Sequence, residues 1–454
     1  MRTAHYDDAV RTLVAAYHRL PADASVRLAK PTSNLFRPRS AAGHRLDVSA
    51  FSGVLDVDVA GRTADVMGMT TYEELVDATL PFGLMPLVVP QLKTITLGGA
   101  VTGLGIESSS FRNGGPHESV LELDVLTGDG TVVTATADNE HAELFAGFPN
   151  SYGSLGYALR LRIELEPVAR FVSLRHVRAG SGAELAALIE RACGSEGLDG
   201  VRPDFVDGTE FTPDESYLTL GTFTDTPAIP PSDYTGLAIY YRSIAERTED
   251  VLSTRDYLWR WDTDWFWCSR AFGVQVPWVR RLVPRRYLRS STYWKIIALE
   301  TKHGVWAKHQ ARQGKPPEER VIQDIEVPVA RTAEFLRFLH EQTQIAPVWV
   351  CPLRQRDPAA RWPLYQLDPD ALYVNVGFWS TVPIRPGESD GAHNRRIEAE
   401  VTRLGGRKSL YSTAFYAEDE FRRLYGGQTY DVLKKRYDPD GRLPGLYAKA
   451  VQGR

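Results

Sequence analysis

The sequence predicts an α+β fold divided over two or three domains, and three observations carry that expectation. The chain has 454 residues, 43% hydrophobic and 24% charged, a globular composition in a length that exceeds what one core fills. Its first third strings short apolar–polar alternations around Gly-containing turns, the period-two signature of strands, and sets single helices among them. After about residue 167 the character shifts to longer strands, amphipathic helices and, over 257–295, a concentration of aromatics and arginines.

Taken in order, MRTAHYDDAVRTLVAAYHRL reads as an amphipathic helix with Val10, Leu13, Val14 and Tyr17 on one face. RLDVSAFSGVLDVDVAGRTADVMG alternates around Gly61-Arg62, a hairpin. TTYEELVDATLPFGL opens on a Thr cap with Glu73 and Glu74 in the first turn, a helix start. LMPLVV is a buried strand ending at Pro90, and SVLELDVLTGDGTVVTATA is a hairpin about Gly128-Asp129-Gly130. A short helix (ELFAGF) leads into a small-residue turn with Ser151, Gly153, Ser154 and Gly156, then a strand. Further on, GSGAELAALIERACGSEG is helical, while DESYLTLGTFTD and LAIYYRSI read as strands. RVIQDIEVPVARTAEFLRFLHEQTQIAPVWVCPLR reads strand, helix, strand; ALYVNVGFW is a strand and HNRRIEAEVTRLGG a helix closed by glycines. The tail is helical, then loops around Asp438-Pro439-Asp440-Gly441.

A net charge of −4 provides no field for nucleic acid. Cys193, Cys268 and Cys351 stand far apart with no CxxC pair, which argues against a disulfide framework or a zinc site and suits a reducing compartment. The N-terminal helix has no uninterrupted apolar run of signal-peptide length, and nothing approaches the roughly 18 apolar residues of a membrane span. The expectation is a cytoplasmic protein, with the inner face of the plasma membrane as a surface it could occupy.

The most unusual stretch is QLKTITLGGAVTGLGIESSSFRNGG, residues 91–115, with six glycines, three serines and three threonines. Glycines let backbone approach a ligand closely, and small hydroxyls bind phosphate oxygens. A Rossmann fingerprint fails for want of its third glycine, and a Walker A loop fails because no Gly-Lys-Ser/Thr follows. A solvated linker would not carry Leu97, Ala100, Val101, Leu104 and Ile106.

PFGLMPLVVPQLKTITLGGAVTGLGIESSSFRNGG, with ELDVLTGDGTVV, ELFAGFPNSYGSLGYALRLRIEL and VWVCPL, resembles the FAD-linked oxidoreductases of the vanillyl-alcohol-oxidase type. The nearest look is the Δ24-sterol reductase-like branch, which includes actinobacterial 10-methylene fatty-acyl reductases. The resemblance implies a PCMH-type FAD-binding domain of two α/β subdomains over 1–167 and an α+β substrate cap with an antiparallel sheet over 168–405. It implies a C-terminal segment, 406–454, that returns to the flavin side. Carried over by position, the first pyrophosphate loop falls on Lys30, Thr32, Ser33 and Asn34, a departure from the usual glycine-rich form. The second falls on Pro90, Thr94, Thr96, Gly98, Gly99, Gly103, Gly105, Glu107 and Ser108, and the third on Gly153 and Gly156. No histidine occurs within 27–37, so non-covalent FAD is expected, with NADPH as the hydride donor.

The related branch reduces an isolated carbon–carbon double bond in a lipid. Such an alkene has no carbonyl to polarise it, so the expected route protonates one carbon and delivers hydride to the resulting tertiary cation, in a site that excludes water. Glu107 and Tyr411 are the candidate proton donors; Glu107 is equally at home as a loop-capping carboxylate. Tyr416, His303 and His309 are weaker candidates. The expected substrate is a phospholipid acyl chain with a 10-methylene group, reduced to a 10-methyl branch, with a methyltransferase as possible partner. Sterol Δ24 reduction is the close alternative, and an alcohol or sugar oxidase the more distant one. Against a sugar oxidase, the decaprenylphosphoryl-ribose oxidases carry a lysine where LYSTA has Ala414.

Residues 259–294 hold six of the ten tryptophans, and no acid occurs from 265 to 299 while six arginines and Lys295 do. Tryptophan and arginine favour an anionic bilayer surface, so 259–295 is expected to make peripheral membrane contact. The alternative is a packed cap whose tryptophans are core.

Overall fold

In a computed structural model the described residues are 4–30, 36–37, 43–303, 313–314 and 316–453. The fold is α+β and is organised by three sheets. Strands β1 (Val26–Ala29) and β2 (His44–Asp47) form a small parallel pair beside the N-terminal helix Ala4–His18. The second sheet has the order β3-β4-β8-β6-β7, with β5 also paired to β8; its strands are β3 (Val54–Asp58), β4 (Thr63–Met67), β5 (Leu84–Pro86), β6 (Val120–Leu126), β7 (Val132–Ala135) and β8 (Tyr157–Pro167). Its centre is fixed by charge as well as by apolar packing. Arg160 of β8, 3% exposed, bonds Asp65 of β4 and Asp124 of β6, and Tyr6 of the N-terminal helix donates to the same Asp124 at 2.8 Å. A buried arginine is tolerable only with such partners.

The third sheet is antiparallel, with eight strands in the order β12-β9-β11-β10-β14-β15-β13-β16. These are β9 (Phe171–Ala179), β10 (Phe205–Thr212), β11 (Glu215–Thr224), β12 (Glu249–Ser253), β13 (Glu318–Pro328), β14 (Val348–Leu353), β15 (Tyr373–Pro383) and β16 (Arg407–Lys408). Successive side chains of a strand point to opposite faces, and here the two faces have different jobs. Val206, Leu218, Val321, Ile325, Val350, Val374, Val376 and Phe378 form a core with the helices Gly182–Ala192, Thr332–Thr343 and Ala392–Arg403. The intervening positions, Asp207, Asp324, Trp349, Asn375 and Trp379, face the other way. Asp324, Trp349, Asn375 and Trp379 line a cleft.

Three local findings differ from the sequence expectation. LAIYYRSI contributes the helix Tyr240–Glu246, not a strand: its buried residues, Tyr240, Tyr241, Ser243 and Ile244, follow helical spacing. The glycine-rich segment is partly helical, with the helices Leu97–Gly103 and Ser110–Asn113 inside it. The tryptophans of the basic segment are mostly core: Trp259, Trp261, Trp265 and Trp267 are all below 7% exposed, so they fill the cap and do not face a bilayer. The expected capping of Thr71 is present as a full capping box with Glu74. Among the described residues no helix is long and apolar enough to cross a membrane.

Candidate active site

The cleft begins where the second sheet meets the glycine-rich segment. Thr96 caps the helix Leu97–Gly103, its Oγ1 accepting the Gly99 amide at 3.2 Å and the Lys30 ammonium at 3.1 Å. This helix lies directly on β8 and on the backbone just after β4: the Gly98 amide donates to the Gly68 carbonyl, and a Cβ on Gly98 would stand 2.7 Å from that oxygen. Any side chain would lever the helix away. The turn before β8 approaches from the other side. Tyr152 donates its amide to Thr102 and its hydroxyl to Gly103, at 3.0 and 2.6 Å, which zips the two segments together. Gly153 and Gly156 have φ of +69° and +147°, backbone that favours glycine. A Cβ on Gly156 would meet the Leu126 carbonyl at 2.8 Å. From much further along the chain, Lys449 donates to the carbonyls of Tyr152 and Gly153 at 3.0 and 2.8 Å.

These segments enclose a cavity of about 580 Å3, within the range of cofactor and drug-sized pockets. Its lining combines bare backbone, cations and aromatic rings. Arg27, Lys30, Arg37, Arg45 and Lys449 line the cavity and, among the described residues, a single carboxyl does, that of Asp324. The aromatic wall is Phe36, Trp265, Phe266, Trp349, Trp379 and Tyr411. Phe266 packs on Trp379 with ring centres 4.5 Å apart, and Phe36 stacks on Trp265 at 5.9 Å. Leu104, Tyr152, Trp265 and Phe266, all on the wall, hold positive φ between 45° and 60°. Such strain in non-glycine residues concentrates at ligand sites. A glycine cradle lined by five cations and, among the described residues, one acid fits a diphosphate, and the aromatic wall fits a flat ring system; FAD carries both.

Of the residues expected from sequence, Lys30, Pro90, Thr94, Thr96, Gly98, Gly99, Gly103, Gly105, Gly153, Gly156 and Tyr411 line this cavity. Thr32, Ser33, Asn34 and His309 lie outside the described residues, as does the side chain of His303. Tyr416 is buried against Phe421 and Tyr425, away from the cavity lining.

Glu107 and Ser108 are placed elsewhere. Glu107 is 2% exposed and does not line the cavity. Its Oε1 accepts the Ser108 amide at 2.7 Å and the Arg260 guanidinium at 3.1 Å. Arg260 in turn bonds Asp207 at 2.8 Å, an oxygen that also accepts the indoles of Trp261 and Trp349. Ser108 shares a hydrogen bond with the Tyr257 hydroxyl at 3.0 Å. Burial raises the Glu107 pKa and Arg260 opposes the rise. Glu107 and Ser108 therefore bolt the glycine-rich segment to the cap, and neither lines the cleft.

A family model described as an FAD-binding domain matches residues 5–136. The Δ24-sterol reductase of Arabidopsis thaliana is 24% identical over 449 residues, covering 90% of this chain and 77% of the relative. That of Mus musculus is 25% identical over 413 residues, with 87% and 75% covered. Cytokinin dehydrogenase 2 of Oryza sativa is 31% identical over 161 residues, 34% of this chain and 28% of the relative. The chain is an FAD-dependent oxidoreductase, with an FAD-binding domain over residues 5–136 and similarity to Δ24-sterol reductases along most of its length.

In this oxidoreductase the polar equipment of the aromatic chamber is concentrated on β13 and β15. Asp324 is hydrogen-bonded to the Tyr411 hydroxyl and accepts Asn375 Nδ2 at 3.2 Å. Tyr411 also accepts the Trp379 indole at 2.9 Å. Burial pushes the Asp324 carboxyl up to about 6, with Asn375 and Tyr411 acting against it. Two residues on and on the same strand face, Glu326 accepts from Tyr365 and, at 3.2 Å, from Ser409; burial and the nearby Asp324 charge push it up to about 8. Gly377, opposite Asp324 on β15, leaves the room: a Cβ there would collide with the Asp324 carboxyl and the Trp379 ring. Sequence reading missed Asp324. A carboxylate at every second position of a Val/Ile-rich strand ordinarily marks a solvated face, and only the arrangement of the cap turns that face inward.

Proposed function

We propose that the protein is an FAD-dependent reductase of an isolated carbon–carbon double bond in a lipid. The observation that carries this reading is Asp324, the one carboxyl of the cleft among the described residues, hydrogen-bonded to Tyr411 and Asn375 beside the aromatic wall. Similarity to sterol Δ24 reductases over 87–90% of the chain supports it. Lys30, Thr94, Thr96, Gly98, Gly99, Gly103, Gly105, Gly153 and Gly156 would hold FAD, which supplies hydride chemistry when bound.

The chain's own part is to hold a proton and keep water out. Reduction of an unpolarised alkene needs an acid at one carbon, and a carboxyl raised to about 6 with a neutral phenol beside it holds its proton in mildly acid solution, where an ordinary aspartate has lost it. Glu326, raised to about 8, stores a second proton behind it. The indole edges of Trp349 and Trp379 are occupied by Asp207 and Tyr411. Their ring faces thus offer no partner for water that would trap a cation.

Within this class we favour a 10-methylene acyl chain as substrate and NADPH as reductant. Protonating a 1,1-disubstituted methylene gives a tertiary cation, and the reaction preceding this one is then a methyl transfer to an unsaturated lipid. Sterol Δ24 reduction uses the same proton and hydride logic. The test is anaerobic: reduce the purified yellow protein with NADPH, then add methylene-lipid or a Δ24-sterol and follow reoxidation. Reoxidation by one alkene identifies the substrate; bleaching by NADPH with no reoxidation by either alkene would remove the reading. Bleaching by an alcohol or sugar alone would establish an oxidase instead.

A further inference from the structure

The basic, aromatic segment contains one part that the cap does not absorb. The helix Pro277–Leu282 is fastened to the body through Arg280, whose side chain is 2% exposed. Its guanidinium makes a two-pronged ion pair with Asp264, 2.7 and 2.9 Å, and its Nε donates to the Gly236 carbonyl at 2.7 Å. Residues two positions either side of Arg280 on a helix point some 200° away from it. They are Trp278 and Leu282, 68% and 75% exposed, the two most exposed large hydrophobics among the described residues. Arg281, Arg285 and Arg286 are exposed beside them. Arg285 pairs with Asp233, while Arg281 and Arg286 are in no ion pair among the described residues.

An exposed indole and isobutyl group framed by exposed guanidiniums are costly in water and match one environment closely. Indoles settle at the headgroup level of a bilayer, leucine reaches the acyl boundary, and arginines are drawn to anionic headgroups. A second copy of the chain fits poorly, because a two-fold contact would bring the arginines against each other. Stacked nucleic acid also fits poorly, since it needs a row of free rings and the neighbouring tryptophans are buried.

We propose that Trp278 and Leu282, with Arg281, Arg285 and Arg286, form a docking site for an anionic phospholipid bilayer. The site is tied to the cleft by its anchor: Asp264, which holds Arg280, directly precedes Trp265 of the cleft wall. The docking site does not depend on the reaction proposed above and is tested without turnover. Flavin-loaded protein is mixed at physiological ionic strength with vesicles of phosphatidylcholine alone or of equimolar phosphatidylcholine and phosphatidylglycerol, and bound protein is measured by flotation. Binding to the anionic vesicles is expected to exceed binding to neutral ones by about tenfold or more. Trp278→Ala/Leu282→Ala and Arg281→Glu/Arg286→Glu are each expected to weaken anionic binding by about tenfold or more. Both variants keep their flavin content and melting temperature, because all four side chains are exposed. Failure of the wild type to float, or full binding by either variant, overturns the proposal. So does a change of oligomeric state in the Trp278→Ala/Leu282→Ala variant by sedimentation, which would make this face a protein contact.

Discussion

Asp324, the proton donor proposed above, carries a stability cost that can be measured. Burial raises its pKa from the ordinary 3.8 to about 6. A carboxyl whose proton is held more tightly in the folded than in the unfolded chain contributes stability below about pH 4. That contribution is lost as the pH rises to about 6, since the unfolded chain then releases the proton freely. At about 1.4 kcal/mol per tenfold change in proton affinity, the loss amounts to about 3 kcal/mol above pH 6. Asp324→Asn has nearly the same shape, can still accept from Tyr411, and carries no ionisation. Relative to wild type it is expected to gain about 3 kcal/mol between pH 4 and pH 8, while losing proton delivery in single-turnover reoxidation. Urea denaturation at both pH values, with FAD fixed in excess so that ligand linkage cancels, reads the difference. A stability difference that does not change with pH would refute the claim that Asp324 is held protonated by burial.

Further expectations concern the other parts of the site. Glu107→Ala leaves the fully buried Arg260 with one partner fewer and is expected to cost about 3–5 kcal/mol by denaturant titration, with Glu107→Gln costing less. An unchanged midpoint would show that the bolt between the glycine-rich segment and the cap is not formed. Gly99→Trp places an indole in the cleft, where a Cβ meets only Thr96 Oγ1, so a folded but colourless protein is expected; a normal flavin spectrum would mean that the loop does not hold the cofactor. Tyr411→Phe removes a hydrogen bond that stabilises the Asp324 carboxylate, so the pH profile of reoxidation moves upward, the sign set by loss of a pKa-lowering partner. Gly377→Ala drives a methyl into Asp324 and Trp379 and is expected to slow reoxidation more than it lowers flavin content.

The glycine-lined part of the cleft was legible because its demands are local. Close backbone approach needs glycine at Gly98 and Gly156, and those residues stand in the sequence whatever the rest of the chain does. The hairpins about Gly61 and Gly128–Gly130 and the capped helix after Thr71 were readable for the same reason. The carboxyl of the cleft was not legible. Whether Glu107 or Asp324 faces the cleft depends on a register in the large sheet and on Arg260, 153 residues away from Glu107, and no short-range pattern encodes that. The aromatic segment shows the same limit: composition indicated an interface, but one buried ion pair, Arg280 with Asp264, decides which two side chains of the helix face water. The helix at Tyr240 was misread because bulky aromatic and β-branched residues suit a strand locally while the packing around them is helical.

The bonds from Lys449 to the carbonyls of Tyr152 and Gly153 span 297 and 296 residues. Similar long ties run from Val26 to Arg442 and from Gly128 to Tyr437. During synthesis the glycine-lined wall of the cleft therefore leaves the ribosome long before the strap that fastens it, and the cleft takes its final form only once the last residues have emerged.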